Sequence, residues 1–268
     1  MTAAEPNTHK SSSRMRFRLG TVLMLVLIVA LVAGWARDRV LLNQAREVGK
    51  IRIEIYTDPK AFAQRVGRNV RVINFDEIHT EENDAPLFGR QSYMSNGTAS
   101  RDVSEFKSDR YESEGIRIVG IGGQYVGRSF GQPNDFEAAS WPNAYAPGPV
   151  GKNPGGFTTD VTFLNGKSRG LVMGFGLNFI DVDFTMIKAS GLEIFDRFGT
   201  LLASYNAING PNRTPVFRGV VAVDESGSPV PVIARVKLTN GTGWPGVDAG
   251  ETVTMDDFIY NVPAAFPK

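Results

Sequence analysis

The chain has 268 residues, of which 42% are hydrophobic and 21% charged, with a net charge of +1 and no cysteine. That balance excludes wholesale disorder and leaves ample apolar mass for a core. It also excludes disulfides, iron–sulfur clusters, zinc fingers and thiol nucleophiles, and it gives no sign of a nucleic-acid partner.

The near-zero charge is a sum of unlike parts. Residues 1–18 form a basic tail, with Lys10, Arg14, Arg16 and Arg18 against Glu5. Residues 37–72 are again basic, with nine Lys/Arg against four Asp/Glu. Residues 73–268 are acidic, with 23 Asp/Glu against 16 Lys/Arg. A basic leader and stalk therefore precede an acidic domain.

The run 19–36 (LGTVLMLVLIVALVAGWA) carries no charge. As a helix it spans roughly 27 Å, close to the thickness of a bilayer core. Trp35 takes the place of an interfacial aromatic. The segment is expected to contact the membrane as a signal anchor or, if Gly34-Trp35-Ala36 is cut, as a signal peptide. Arg14, Arg16 and Arg18 favour an internal N-terminus, which puts the C-terminal domain outside the cytoplasm. Cleavage would make the protein secreted.

Residues 37–50 place Val40, Leu41, Ala45 and Val48 at helical spacing and read as a stalk. The domain then runs over 51–268. Ile51 to Tyr56 (IRIEIY) alternates and predicts a strand. Asp58-Pro59 predicts a short helix, with Asp58 as N-cap and Pro59 in the first turn. Val70 to Phe75 predicts the next strand.

Further strands are expected at 115–119, 124–130, 168–184 with a break, 191–195, 200–205, 216–223, 232–238 and 252–262. Turn signals such as Asp196-Arg197-Phe198-Gly199 and Glu225-Ser226-Gly227 separate them. Many short punctuated strands predict an all-β fold, a jelly-roll-type β-sandwich with one short N-terminal helix. Two stretches, 79–111 and the Pro- and Gly-rich 131–156, are expected to be long loops, where binding residues concentrate.

The order of pieces carries a resemblance. "TDPKAFAQRVG" leads to "RVINFDEI", then "YESEGIRI", "GLEIFDRFGTLL", "FRGVVAVDESGSPVPVIARVKLT" and finally "VTMDDFIYNVP". Over about residues 55–263 this resembles the exported bacterial β-sandwich domains found in PEP-CTERM sorted proteins. The chain ends in "PAAFPK", without a hydrophobic sorting tail, so anchoring is expected from the N-terminal segment. The resemblance implies a jelly-roll domain similar to carbohydrate-binding modules with a structural calcium.

Candidate site residues follow. Asp76-Glu77 ends one strand and Asp256-Asp257 lies in the last. Strand alternation points at least one of the latter pair into apolar company, where a carboxylate needs hydrogen bonds, a counter-charge or a metal. In jelly-roll binding modules the first and last strands pair, so these four acids are candidate calcium ligands. The alternatives are turn caps and arginine pairs.

Trp141, Tyr145 and Trp244 are candidate ligand-binding aromatics, because exposed rings stack on sugars. The same rings would also anchor protein partners, or fold back as loop staples. His79 is the sole histidine in the domain, and no nucleophile elbow accompanies it. Asp181 and Asp183 share a strand face, faintly like a glycosidase acid pair. The reading is thus a membrane-tethered or exported module binding carbohydrate or another envelope component. A structural or adhesive protein is the alternative, and a hydrolase the weakest reading.

Overall fold

A computed structural model of the chain describes residues 24–33, 50–78, 103–105, 107–128, 143–147, 157–180, 190–206, 214–240 and 254–266. Two compact units divide the chain, Met1–Glu47 and Val48–Lys268. In the first, residues 24–33 form helix α1, and every one of them is exposed. No helix among the described residues is long and apolar enough to cross a membrane. The flanks of the expected 19–36 segment, the tail 1–18 and the stalk 37–49 lie outside the described residues.

The second unit is all-β apart from one short helix and one 3-10 turn. Strand β1 (Arg52–Tyr56) leads to helix α2 (Pro59–Val66) and β2 (Val70–Ile73). Then come β3 (Val103–Glu105), the 3-10 turn Glu112–Glu114, β4 (Ile116–Gly120), β5 (Gln124–Arg128) and β6 (Asn143–Pro147). The rest are β7 (Thr158–Asn165), β8 (Ser168–Leu171), β9 (Gly174–Ile180), β10 (Gly191–Phe195), β11 (Leu201–Asn206), β12 (Pro215–Val223), β13 (Arg235–Thr239), β14 (Thr254–Asn261) and β15 (Ala264–Ala265).

Two antiparallel sheets form. One runs β1-β12-β9-β14-β6-β5-β3, with β2 beside the second half of β14. The other runs β11-β10-β13-β7-β8-β15, with β4 also on β7. The expected pairing of an early strand with the last long strand is present as β2 on β14, from Val70↔Asn261 to Ile73↔Phe258.

Alternation sorts β12 cleanly. Val220 and Ala222 enter the main core, while Phe217, Val221 and Val223 face a second cluster with Phe62 and Val66 of α2. The helix starts as its sequence dictates: the Asp58 side chain accepts from Lys60 N at 2.8 Å, and Pro59 opens the first turn. Burying Phe62 contributes about 2 kcal/mol. Gly219 lets it in, since a Cβ there would lie 2.6 Å from the Phe62 ring.

The main core is aromatic at its centre. Phe75 stacks on Tyr145 at 5.4 Å and meets Phe258 edge-on at 5.3 Å and Tyr111 at 5.7 Å. Two non-glycine residues with left-handed backbone flank this knot, Phe75 (φ 61°) and Asp257 (φ 46°). The first stops β2 at Ile73, short of the expected Phe75.

The second is a β-bulge. Asp256 pairs with Asn178 and Ile259 with Gly176, so β14 inserts one extra residue against β9. The bulge corrects the simple alternation expected for this strand. Met255, Phe258 and Tyr260 all enter the core, and Ile259 faces the helix-side cluster. Two further corrections concern the expected loops: 131–156 contains β6 and 79–111 contains β3. Strand β7, which joins β13, β4 and β8, was absent from the expected set.

Candidate functional site

The four acids expected to share a cation each have contacts in view. Among the described residues, no three His, Asp or Glu side chains gather to hold a metal ion. Glu77 pairs with Arg110 at 3.7 Å. Asp76 N donates to Asn74 Oδ1 at 3.4 Å. Asp257 accepts from Asn178 Nδ2 at 3.1 Å, and its own N–H donates to Asp256 Oδ1 at 2.8 Å. Asp256 is completely buried, as the apolar company of its strand requires. At the bulge the two acids stay linked through the Asp257 N–H, while the Asp257 carboxylate turns to Asn178.

Tyr145 is corrected outright as an exposed ring. It is fully buried, and its hydroxyl shares a 2.9 Å hydrogen bond with Thr159 Oγ1. Burial pushes that hydroxyl well above its ordinary range. Met255↔Tyr145 pairing draws the ring inward beside Phe258. Trp141, Trp244, His79, Asp181 and Asp183 lie outside the described residues.

The described surface offers two adjoining grooves on either side of the Glu112–Glu114 turn, both reaching Ser113. The first, about 390 Å³, is lined by Ile73, Asn74, Glu77, Arg110 and Glu114. The second, about 760 Å³, is lined by Arg71, Glu112, Arg117, Asn165, Lys167 and Pro263. Neither set of residues is close in sequence. Pairing of β2 with β14 and of β4 with β7 assembles them.

The turn between the grooves is held from several sides. Gly115 N donates to Glu112 O at 3.0 Å, and Leu164 N to Gly115 O at 2.8 Å. The Glu114 carbonyl accepts from Tyr260 Oη at 2.9 Å and also from the Arg71 guanidinium. Gly115 has φ 86°, and a Cβ there would sit 2.9 Å from Leu164 O. Only glycine fits that close approach. Tyr260 is buried, and desolvation pushes its hydroxyl up, so it stays a neutral donor beneath the turn.

Ion pairs pre-set the groove walls. Arg71 lies 3.6 Å from the Glu114 carboxylate, and Arg117 forks onto Glu112. Such half-exposed pairs contribute little to stability. Their value lies in holding planar donors and acceptors in fixed positions. Burial, and then the nearby Glu77 carboxylate, raise the Tyr111 hydroxyl above its ordinary value. Cysteine is absent from the chain, and both histidines lie outside the described residues.

Sequence reasoning missed these grooves. Arg71, Arg117 and Lys167 carry no motif that singles them out, and the turn "YESEG" entered only through the family resemblance. No protein-family model matches the chain, and no curated protein matches it.

Proposed function

We propose that the β-sandwich is a jelly-roll-type binding module for carbohydrate or another cell-envelope ligand. In this reading the N-terminal segment tethers it to the membrane or exports it. The observation that carries the proposal is the pair of grooves around Ser113, lined by fixed Arg, Glu, Asn and Ser side chains. Sugar hydroxyls need such planar donors and acceptors, and Val72 and Val262, both about half exposed, add apolar contact beside them.

The test is retention of envelope polysaccharides on the full-length chain, with Arg117→Ala/Lys167→Ala as the comparison. The wild type should retain at least one polysaccharide and the double variant should lose it, with melting unchanged. Equal retention by both, or none by either, overturns the groove as the site. Structural calcium belongs to the same proposal only at the Asp256–Asp257 bulge. A calcium-dependent rise in melting temperature that disappears in Asp257→Ala supports it.

A second reading, an adhesive protein that meets protein partners, is favoured by one feature. The edge strand β11 carries half-exposed Leu201, next to half-exposed Phe198 in the preceding turn. Pull-down from envelope extracts with Leu201→Lys separates the two readings.

A further inference from the structure

The strands divide the sandwich into two ends. At one end lie Ile180, Gly191, Asn206, Pro215, Thr239 and Thr254, the termini of six strands. Most of the buried polar side chains among the described residues gather there: Gln124, Thr159, Asn178, Ser190, Arg218, Asn240 and Asp256. Several have partners in view. Gln124 Oε1 accepts from Gly120 N at 2.8 Å, Thr159 bonds Tyr145, and Asn178 bonds Asp257.

Arg218 is different. It stands on β12 opposite Leu177, with Val220 two residues on. The alternation that sends Phe217 and Val221 to the helix side sends Arg218 to the interior, on the face of Val220 and Ala222. The residue is only 5% exposed. Its Nε is buried and makes no hydrogen bond with any described residue, and no carboxylate among them pairs with the guanidinium. Desolvation lowers its pKa, yet arginine starts so high that the group stays charged. A buried cation without a counter-charge is costly, and folds retain one where an anion completes it.

We propose that Arg218 is an anion-binding residue at this end of the sandwich, and that its ligand is a small carboxylate monoanion. The charge argument selects the class. One guanidinium neutralises one negative charge, so a carboxylate leaves the buried pair neutral. A phosphate dianion would leave a buried excess charge. The fork of Nε and Nη also matches the two oxygens of a carboxylate. The site is separate from the grooves around Ser113 and stands whether or not those bind glycans.

The test uses the full-length chain in detergent, exchanged into a buffer free of carboxylates. Acetate, glucuronate, phosphate and chloride are titrated while melting temperature and calorimetric heat are recorded. Acetate and glucuronate should bind saturably and raise the melting temperature; phosphate and chloride should do so far less. Arg218→Met should weaken carboxylate binding by about tenfold or more, the scale of a charge-assisted hydrogen bond. It should also melt at or above the wild type in the carboxylate-free buffer, because it removes a buried charge that has no partner among the described residues.

The proposal is overturned if no carboxylate binds the wild type, or if phosphate binds as well as acetate. It is also overturned if Arg218→Met keeps the response or melts below wild type without ligand, since the cation then has a partner within the chain. The wild-type calorimetry decides the matter even if the variant does not fold. Glucuronate binding above acetate would place the carboxylate on a sugar acid; equal binding would leave the bare carboxylate as the recognised group.

Discussion

The two ends of the sandwich solve the same problem differently. At the turn end, strands reverse within a few residues, and buried or turn-borne polar side chains accept from backbone donors, two of them within a turn and one between strands. Asp196 Oδ1 accepts from Phe198 N and Thr200 N, both at 2.8 Å. Asp224 Oδ1 accepts from Ser226 N and Ser228 N, both at 2.9 Å. Asn261 Oδ1 accepts from Met173 N at 2.7 Å and Gly174 N at 3.2 Å. At the other end, the loop end, longer stretches of sequence separate one described strand from the next, and the buried polar groups include a cation with no described partner. Polar burial at the turn end satisfies backbone donors. The loop end does the same at Gln124 and Asp256 but also buries Arg218, whose Nε has no described partner, which is why the carboxylate proposal belongs there.

The largest test of this contrast lies between the ends. Phe258→Ala removes the ring that meets Phe75, Tyr145 and Phe175. It should cost about 3–5 kcal/mol in chemical denaturation. Because Phe258 follows the bulge, backbone exchange should rise at Asp256–Asp257 before it rises at the Asp224 turn. Equal loss at both places would mean that the ends are not separable.

Next in size is Asn261→Ala. It leaves two backbone donors of the turn end without their acceptor, at a cost of about 1–3 kcal/mol. Carboxylate binding at Arg218 should be unaffected, measured by calorimetry on the same protein. Tyr145→Phe is smaller. It deletes one buried hydroxyl and leaves Thr159 to repair its own bond, at a cost of about 1 kcal/mol. It should also change carboxylate affinity, because the Tyr145–Thr159 pair sits at the loop end; an unchanged affinity would confine the anion site to β12.

The turn end was also the legible one. Strict alternation in IRIEIY foretells β1, Asp58-Pro59 foretells α2 and its cap, and "GLEIF" followed by "DRFG" foretells β10 with its reversal. In each case neighbours in sequence supply the physics. Strand β7 was missed because Thr159, Asp160 and Thr162 break up the apolar signal of Val161 and Phe163. Strand β6 was missed because "NAYAP" shows no alternation and lies among prolines. It is a strand because Tyr145 fills the space beside Phe75 and Phe258, which is a tertiary cause.

The bulge was equally hidden. Aspartate tolerates left-handed backbone better than most residues, but only the pairing with Asn178 and Gly176 places the extra residue at Asp257. The expectation that at least one of the two acids is buried holds for Asp256. Arg71, Arg117 and Arg218 could not be told apart in sequence. The first two end in ion pairs on a groove and the third in the core, and β-sheet register alone decides which.

The smallest expected effect separates the ends by pH. Glu54 on β1 accepts from Arg65 Nε of α2 at 2.8 Å, and Arg65 also donates to the Gly227 carbonyl in the Asp224 turn. That hydrogen bond holds the Glu54 carboxyl below its ordinary value of 4.5. The Ser226 hydroxyl, followed by backbone donors, does the same for Asp224. A carboxylate depressed in the fold adds stability that is complete above its unfolded pKa. That stability is lost as pH falls through the folded value. Both depressed carboxylates lie at the turn end. The loop end holds a raised tyrosine and an arginine that stays charged, neither of which titrates between pH 3 and 7. Its carboxylates, Asp256 and Asp257, accept from Asp257 N and Asn178 Nδ2, so the prediction is one of order between the ends. Acidification from pH 6 to pH 3 should therefore loosen the Asp224 turn and the α2 contact first, read by amide exchange. Glu54→Gln should flatten the acid limb of the stability curve while leaving stability at pH 7 slightly reduced, because the partly exposed pair contributes only modestly there. An acid limb as steep in Glu54→Gln as in wild type would move the acid-sensitive contact away from the Glu54–Arg65–Gly227 link and remove this distinction between the two ends.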